Sequence, residues 1–457
     1  MVSIKKLFSN SDMDMTNGNL FKKIIIFALP LMLSGILQLL YNASDLIIVG
    51  NFSDETNAIG AIGSTGSLIN MIVNVFMGFS VGANVMLARA IGAKDKKKAH
   101  NTVHSTIVLG IIGGIILGFI GYFCSRTFLN WMDTPSDVID LATVYIQIFF
   151  LGMPGNLLYN FGASLLRAKG DTARPLVILF ISGLINVILN LFFILVFDMD
   201  VDGVAIATII SQYISAILVI ICLTKEKEYA KLELSKLRLH TSETLQIIRI
   251  GFPAGLQGSI FSVSNVLIQS SVNSFGSVVM NGNSAAANIE GFTYTSMNSI
   301  YHAALSFTGQ NYGAKKPQNV FKIYIYSLII VTAIGLLMGG GSYLLGRQLL
   351  DLYIDGEAIN YGLLRMKYIL ILYAFCGIMD VTCGMLRGSG YALVPMIISL
   401  LGACAFRVFW IYTVFKADPR LEIIYISYPI SWILTFIAQF IAFIICKKRV
   451  ENKLIVN

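Results

Sequence analysis

Long apolar stretches alternate along the chain with short polar connections. Stretches such as 24–49, 103–124 and 175–197 are each long enough to cross about 30 Å of hydrocarbon as an α-helix. The pattern predicts an all-α polytopic membrane protein. We place twelve transmembrane helices at residues 22–50, 57–90, 100–123, 138–164, 174–198, 203–224, 245–275, 283–310, 319–346, 358–386, 391–416 and 422–446.

Composition supports this class. The 457 residues are 56% hydrophobic and only 13% charged, with a mean hydropathy of +0.74, whereas a soluble globular protein carries about 25% charged residues. The six cysteines lie in or beside apolar spans without the spacing of a metal site, so we interpret them as small core residues. No resident metal or other cofactor is expected.

The net charge of +8 is unevenly distributed among the connections. Basic connections such as GAKDKKKAHN and RAKGDTAR alternate with acidic ones such as NFSDETN and DMDVDG. This alternation follows the positive-inside rule and places the basic connections and both termini in the cytoplasm. We therefore expect a multi-pass protein of the plasma membrane, whose positive charge meets the lipid bilayer rather than nucleic acid.

The chain contains an internal repeat. Three pairs of blocks align: FALPLMLSGILQLLYNAS (27–44) with IGFPAGLQGSIFSVSNVL (250–267), AIGAKDKKK (90–98) with NYGAKKPQN (311–319), and LLRAKGDTARP (165–175) with MLRGSGYALVP (385–395). Subtracting the first residue numbers gives offsets of 223, 221 and 220. The repeat predicts an N-terminal six-helix lobe (1–224), a cytoplasmic linker (225–244) and a C-terminal six-helix lobe (245–457).

Each lobe has an even number of helices, so both lobes start on the same side of the membrane. The repeat is therefore parallel and pseudo-symmetric about the membrane normal, and the substrate path is expected between the lobes. This organisation favours a transporter over a membrane-embedded enzyme. The spans also lack a catalytic carboxylate pair, a phosphate-binding loop or a nucleophile motif, so we expect no enzymatic activity. No repeated charged ring or filter-like loop indicates a channel.

The repeated blocks resemble the multidrug and toxic compound extrusion (MATE) family over the whole chain. The residues that carry the resemblance are LYNASDLIIVGNF, GAKDKKKA, LLRAKGDTARP, VDGVAIATIIS, TGQNYGAKK and GMLRGSGYALVP. The resemblance implies secondary active antiport by alternating access, in which H⁺ or Na⁺ drives export of small amphiphilic, often cationic, drugs or metabolites. We expect a monomer. The alternative is a flippase for lipid-linked oligosaccharides or polysaccharides, which shares the architecture but favours more cationic cavity residues.

The resemblance also implies a coupling-cation site in the N-terminal lobe. Its residues are Tyr41, Asp45, Asn186, Asn190 and Thr208. Asn190 stands where a second Asp is common among relatives. Its side-chain oxygen can still ligate a cation, so Na⁺ at Asp45, Asn186, Asn190 and Thr208 stays open, but the missing negative charge favours protonation of Asp45.

Helix geometry independently brings four of these residues to similar depths. At 1.5 Å per residue, Asp45 lies about 8 Å below the outer end of its helix, Thr208 reaches a similar depth, and Asn190 lies about 12 Å down, one turn from Asn186. A carboxylate in a span costs about 3 kcal/mol. Its removal from water disfavours the charged form, so Asp45 can take up and release a proton. Packing by helix–helix hydrogen bonds is the alternative for Asn186 and Thr208.

Three ionisable residues in the C-terminal lobe are substrate or coupling candidates: Glu290, Asp380 and Arg407. Glu290 lies about 10 Å deep and Arg407 about 14 Å deep in the outer half, so we expect these two to form an ion pair. Asp380 lies towards the cytoplasmic face, where it can be hydrated. The cavity wall is expected to use adaptable Met and aromatic side chains, with lipid-facing or core packing as the alternative: Met71, Phe76, Met77, Tyr294 and Met297.

Overall fold

The computed structural model of the protein describes residues 13–52, 58–132, 134–135 and 138–456. Within these residues the regular structure is helical, and no strand is present. The helices of the first half are α1 (Leu20–Phe52), α2 (Ala58–Gly92), α3 (Lys96–Trp131), α4 (Ile139–Leu151), α5 (Met153–Lys169), α6 (Ala173–Phe197) and α7 (Val201–Thr224). The second half contains α8 (Thr241–Asn273), α9 (Ser277–Gly313), α10 (Pro317–Ile334), α11 (Gly340–Leu344), α12 (Gly346–Leu350), α13 (Ala358–Ile369), α14 (Ala374–Gly388), α15 (Leu393–Ser399), α16 (Phe406–Trp410) and α17 (Leu421–Val456).

Each of the twelve predicted spans corresponds to a helix or to a group of consecutive helices, which confirms the predicted fold class. Among the described residues, eight spans are long and apolar enough to cross a membrane as they stand. Two more are bent pairs, α4 with α5 and α13 with α14, with bends of 48° and 49°. The remaining two, α8 and α9, have 33 and 37 residues, but many polar side chains lower their hydropathy.

The described helices divide into two compact units. The first unit runs from Leu33 to Leu256, and the second combines Asp14–Met32 with the residues from Gln257 onward. The unit boundaries therefore fall inside α1 and α8 rather than at the connection between α7 and α8. The predicted lobe boundaries in the sequence remain a prediction.

Each unit is built around the second helix of its bent pair, α5 in the first unit and α14 in the second. In the first unit α5 packs against α2, α3 and α7, and in the second unit α14 packs against α9, α10 and α17. Counted in spans, these are the same neighbours. In the first unit this arrangement buries an apolar core that includes Ile146, Phe150, Leu157 and Phe161. Pro154 lies at the start of α5, where a missing N–H is tolerated and the preceding helix ends.

The repeat is visible in the backbone at two helix ends. Lys94 and Lys315 have φ angles of 56° and 55°, and Gly170 and Gly390 have 103° and 82°. In every case the next residue donates its N–H to the carbonyl five residues before it, at 2.9–3.0 Å. These are Schellman caps, which end a helix with one left-handed residue. The two pairs are 221 and 220 residues apart, the offsets of the aligned blocks.

A buried ion cluster lies in the first unit, at the end where the Schellman cap of Gly170 closes α5. Lys169 and Arg174 both pair with Glu226, and Arg174 also pairs with Asp171. All four side chains are buried. The sequence analysis had counted this connection only among the basic, cytoplasmic ones, whereas opposite charges at close range allow these groups to be removed from water together.

The segment after α7 is held against α3 by two polar residues. The N–H of Glu233 donates to Nε2 of His104 at 3.1 Å, and the N–H of His240 donates to Oγ of Ser105 at 2.9 Å. Because Nε2 accepts, the ring proton is assigned to Nδ1, which faces the carbonyl of His100 at 2.8 Å. Both buried residues therefore fasten the connecting segment to the first unit.

We predict that Lys315→Gly stabilises the protein. A left-handed conformation costs an L-residue about 1–2 kcal/mol, and glycine adopts it without this cost, although glycine is also more flexible when unfolded. The net gain should be about 0.5–1 kcal/mol, measured as a rise in the thermal midpoint of the purified protein. The matched control is Lys322→Gly, an exposed position inside α10, which removes the same charge and should destabilise by about 1 kcal/mol. Equal shifts for both variants would contradict the strain argument.

Candidate functional site

The structure joins four of the predicted cation-site residues in one hydrogen-bonded chain. Nδ2 of Asn190 donates to Oδ1 of Asp45 at 2.6 Å and approaches Oδ1 of Asn186 at 3.4 Å. Nδ2 of Asn186 in turn donates to Oγ1 of Thr208 at 3.3 Å. The chain therefore crosses from α1 through α6 to α7, and the depth estimate from the sequence had placed these residues close enough to meet.

Three of these residues, Asp45, Asn186 and Thr208, line a cavity of about 130 Å³ in the first unit. The other lining residues are mostly polar, and they come from α1 and from α5, α6 and α7: Gln38, Tyr41, Asn42, Asn156, Tyr159, Asn160, Leu179, Ser182, Gly183, Ser211, Gln212 and Ser215. A cavity of this size holds a few water molecules. Water can therefore reach Asp45, whose side chain is half-buried.

Tyr41 is positioned by a glycine on the facing helix. Its hydroxyl donates to the carbonyl of Phe180 at 3.2 Å. A Cβ atom added to Gly183 would lie 1.9 Å from Cε2 and Cζ of the Tyr41 ring, far inside van der Waals contact. Gly183 thus allows the ring to lie flat against α6 at the cavity wall. The sequence analysis missed Gly183, since a glycine in an apolar span carries no polar signal.

Asp45 has no basic partner. It forms no ion pair with any of the described residues, and the amide of Asn190 is its hydrogen-bond donor. Oδ1 of Asn190 is itself buried and lacks a hydrogen-bond partner in the described part of the chain. A carboxylate in a span without a counter-charge is costly, so a proton or a cation has to neutralise it. The surrounding oxygens suit a hard cation such as Na⁺, but they supply only one negative charge.

The expected ion pair between Glu290 and Arg407 is not formed. Glu290 instead accepts two parallel bonds from Arg365, Nε to Oε1 at 2.8 Å and Nη2 to Oε2 at 2.7 Å. Nη1 of Arg365 also donates to Oδ1 of Asn283, which accepts from Tyr425 as well, at 2.8 and 3.2 Å. Depth along the helices allowed either arginine, and lateral placement selected Arg365.

Asp380 lies at a second polar cluster of the second unit. Its carboxyl is half-buried and lies near the side chain of Tyr294, which is 40% exposed. Nearby, Arg387 donates to the hydroxyl of Tyr301 at 2.7 Å and to Oε1 of Gln257 at 2.8 Å. Asp380 and Tyr294 are thus accessible together, as expected for two residues that contact a ligand.

Arg407 lies against aromatic rings. Nε donates to Oγ of Ser431 at 2.8 Å, and the guanidinium carbon lies 4.2 Å from the ring centroid of Tyr428 and 5.7 Å from that of Trp432. Both distances fall within cation–π range. The side chain is buried.

The predicted cavity-wall residues fall in different environments. Met71 is 37% exposed, whereas Phe76 and Met77 are half-buried and pack against the core of the first unit. Met297 is 1% exposed and its Sδ lies against Gly377, so it packs in the core of the second unit. Its apolar helical position could not distinguish core from cavity wall.

The fold and the site together define a helical membrane transporter. Each of the two repeated units of six spans contains a few polar groups within its spans, and the first unit presents an uncompensated carboxylate to a small polar cavity.

The family model MatE matches residues 30–192 and 253–413, so the chain belongs to the MatE family of multidrug and toxic compound extrusion transporters. The two matched stretches begin at Pro30 and Pro253, which are 223 residues apart, the offset of the first repeated block. This confirms the resemblance inferred from the sequence.

Relatives match over most of their length. The chain is 29% identical to "Probable multidrug resistance protein YpnP" of Bacillus subtilis over 400 residues, which are 87% of this chain and 88% of that protein. It is 24% identical to "Probable multidrug resistance protein NorM" of Thermotoga maritima, over 85% and 84% of the two chains. Among solved structures, the fold superposes with a TM-score of 0.87 and 21% identity on an outward-facing "multidrug resistance MATE family transporter of the MOP superfamily", covering 98% of this chain and 100% of that chain.

We predict that Gly183→Ala lowers transport by about tenfold, because the new methyl group displaces the Tyr41 ring from the cavity wall. Overpacking should also cost about 1–3 kcal/mol of stability. Dye efflux from cells and the thermal midpoint of the purified protein measure the two effects. Gly340→Ala is the matched control, since a Cβ there meets nothing within 4 Å. Unchanged efflux in Gly183→Ala would show that the position of the Tyr41 ring does not matter for transport.

We predict that Glu290 and Arg365 are energetically coupled. Each single change, Glu290→Gln or Arg365→Gln, leaves a buried charge alone and should cost about 3–5 kcal/mol, whereas the double variant should lose less than the sum. Thermal midpoints of the four proteins complete the mutant cycle. The exposed pair Arg126 and Asp140, 2.9 Å apart, serves as the control cycle and should show coupling of about 0–1 kcal/mol. Additive losses at Glu290 and Arg365 would reject the coupling.

Proposed function

We propose that the protein is a cation-coupled antiporter that exports amphiphilic, often cationic, compounds by alternating access. The observation that carries this proposal is Asp45, a carboxylate within a span and without a basic partner, hydrogen-bonded to Asn190 at a polar cavity. Such a group changes charge when it takes up a proton or binds a cation. A change of charge inside a span alters the free-energy difference between conformations by several kcal/mol, which is the size needed to drive a transport step.

Protonation of Asp45 is the simplest coupling event. When the carboxyl is charged, the Nδ2 group of Asn190 donates to it and Oδ1 of Asn190 remains without a donor. When the carboxyl is protonated, the side-chain oxygen of a rotated Asn190 amide can accept a hydrogen bond from the carboxyl O–H. Both groups then have a hydrogen-bond partner. Asn186 and Thr208 continue the chain and can reorient with it. Na⁺ binding at the same oxygens is the alternative coupling event.

The class of exported compound rests on the family and on the charge of the site. Relatives named as multidrug resistance proteins cover most of this chain, and these names do not favour the flippase alternative. A carboxylate that alternates between free and neutralised states can exchange a proton for an organic cation. In the second unit, Asp380 with Tyr294 is the corresponding accessible acidic group, and Glu290 with Arg365 is a supporting ion pair. We place the monomeric protein in the plasma membrane with both termini in the cytoplasm.

We predict that Asp45→Asn abolishes gradient-driven export while leaving membrane insertion intact, because the amide keeps the size of the carboxyl but cannot change charge. The measurement is transport of a fluorescent cationic dye in proteoliposomes with independently imposed pH and Na⁺ gradients. Asp140→Asn, at an exposed position of α4, is the matched control and should transport normally. Full gradient-driven transport by Asp45→Asn would assign Asp45 a structural role, and transport driven by ATP without a gradient would refute the antiporter.

We predict that Asn190→Asp increases the dependence of transport on Na⁺. Nδ2 of Asn190 lies 2.6 Å from Oδ1 of Asp45, so the substitution places a second carboxylate beside the first. Two negative charges bind a hard cation more tightly than one. Dye export should then respond about tenfold more strongly to an imposed Na⁺ gradient than in the parent protein. An unchanged ion profile would exclude Asn190 from the coupling site.

A further inference from the structure

Arg407 is a buried cation without an acidic partner. Its side chain is 3% exposed, and its buried Nη2 atom has no hydrogen-bond acceptor among the described residues. Across the same residues, Arg407 forms no ion pair at or below 4.0 Å. A guanidinium in a span is costly unless an anion lies beside it. The mechanism proposed above makes no use of this charge.

The carboxylate of Glu290 is already engaged by another arginine. Glu290 holds Arg365 through two parallel hydrogen bonds, a geometry that uses both of its oxygens. Arg365 and Arg407 lie against the same ring, with their guanidinium carbons 5.9 and 4.2 Å from the centroid of Tyr428. Two guanidinium groups therefore share one aromatic ring, but Glu290 pairs with Arg365 alone, and the positive charge of Arg407 has no paired carboxylate.

The backbone around Arg407 is unusual. Leu400–Ala405 and Ile411–Phe415 are π-helical, and the α-helical turn α16 between them carries Arg407. Turns of π-helix are rare and occur often at functional sites. Two of them on either side of one buried arginine distinguish this span from the other described helices of the second unit.

The facing surface of α17 holds Arg407 and offers one further donor. Ser431 accepts from Nε of Arg407 and donates to the carbonyl of Tyr428, so it positions the arginine, and Thr435 lies one turn further on the same face. Oγ1 of Thr435 is fully buried and has no hydrogen-bond partner in the described part of the chain. Trp432 lies between them in sequence, with its ring centroid 5.7 Å from the guanidinium.

We propose that Arg407, together with Ser431 and Thr435, forms a binding site for one anionic group, either a small inorganic anion or the carboxylate of an amphiphilic compound. The guanidinium supplies the charge and Nη2 the first hydrogen bond, while the Thr435 hydroxyl supplies a second. Tyr428 and Trp432 provide an apolar, polarisable wall. The site extends the range of ligands beyond organic cations, and its test measures binding and does not depend on coupled transport.

Trp432 gives a direct reporter, since the chain has only three tryptophans. In a full-length variant with Trp131→Phe and Trp410→Phe, fluorescence comes from Trp432 alone. Iodide is an anion that quenches tryptophan, and Cs⁺ is a cation that does the same. We expect iodide to quench Trp432 saturably, because it binds beside the ring, and Cs⁺ to quench it weakly and linearly, because the ring is 4% exposed.

Arg407→Gln in the same background should weaken the saturable iodide quenching about tenfold or more, whereas Arg420→Gln, at an exposed arginine paired with Asp418, should leave it unchanged. Saturable quenching that survives in Arg407→Gln, or quenching that is linear from the start, would overturn the proposal. If Arg407→Gln cannot be purified, competition in the parent decides: chloride and acetate must reverse the iodide signal, and failure to do so refutes the site.

Two amphiphiles of equal chain length separate the sources of the anion. Reversal by decanoate at about tenfold lower concentration than acetate would show that the site takes the carboxylate of an amphiphile, and equal potency would show that it takes a small anion. Reversal by decyltrimethylammonium at the same concentration as decanoate would overturn the proposal, since the signal would then report the apolar chain rather than negative charge.

Discussion

The polar site of the first unit depends on the hydrogen bond that Asn190 donates to Asp45. In this bond a neutral amide donates to a carboxyl group within a span, and no basic side chain of the described residues pairs with that carboxyl. A lysine or arginine in place of Asn190 would fix the charge permanently. An amide leaves the charge of Asp45 without a permanent counter-charge, and the small polar cavity beside Asp45 gives water access to it.

The ionisable groups within the spans of the second unit have different partners from Asp45. Glu290 and Arg365 neutralise each other through two hydrogen bonds, and Asp380 lies near the accessible side chain of Tyr294. These arrangements reduce the cost of charge within a span, and the first of them also ties α9 to α13. The repeat thus conserves helix packing and helix caps while the two units carry opposite excess charges, one carboxylate in the first and one guanidinium in the second.

Much of the architecture could be predicted from the sequence, because span length, loop charge and the repeat are properties of the chain itself. Depth arithmetic also brought Asp45, Asn186, Asn190 and Thr208 to the same level, and the structure joins them. The same arithmetic failed for Glu290, since it gives height along a helix and not the side to which a residue faces. The buried Lys169 cluster was missed for a related reason, as the sequence does not show which charges of a connection fold back onto their partners.

At the two lysines in Schellman caps, the backbone geometry and the charge of the connection favour different residues. Glycine would relax the left-handed backbone at Lys94 and Lys315, yet it would remove positive charge from loops that the positive-inside rule assigns to the cytoplasm. Local backbone geometry therefore favours one residue and insertion into the membrane favours another. At both repeats the residue present is the one that the charge rule favours, so the folded protein retains backbone strain that glycine would remove.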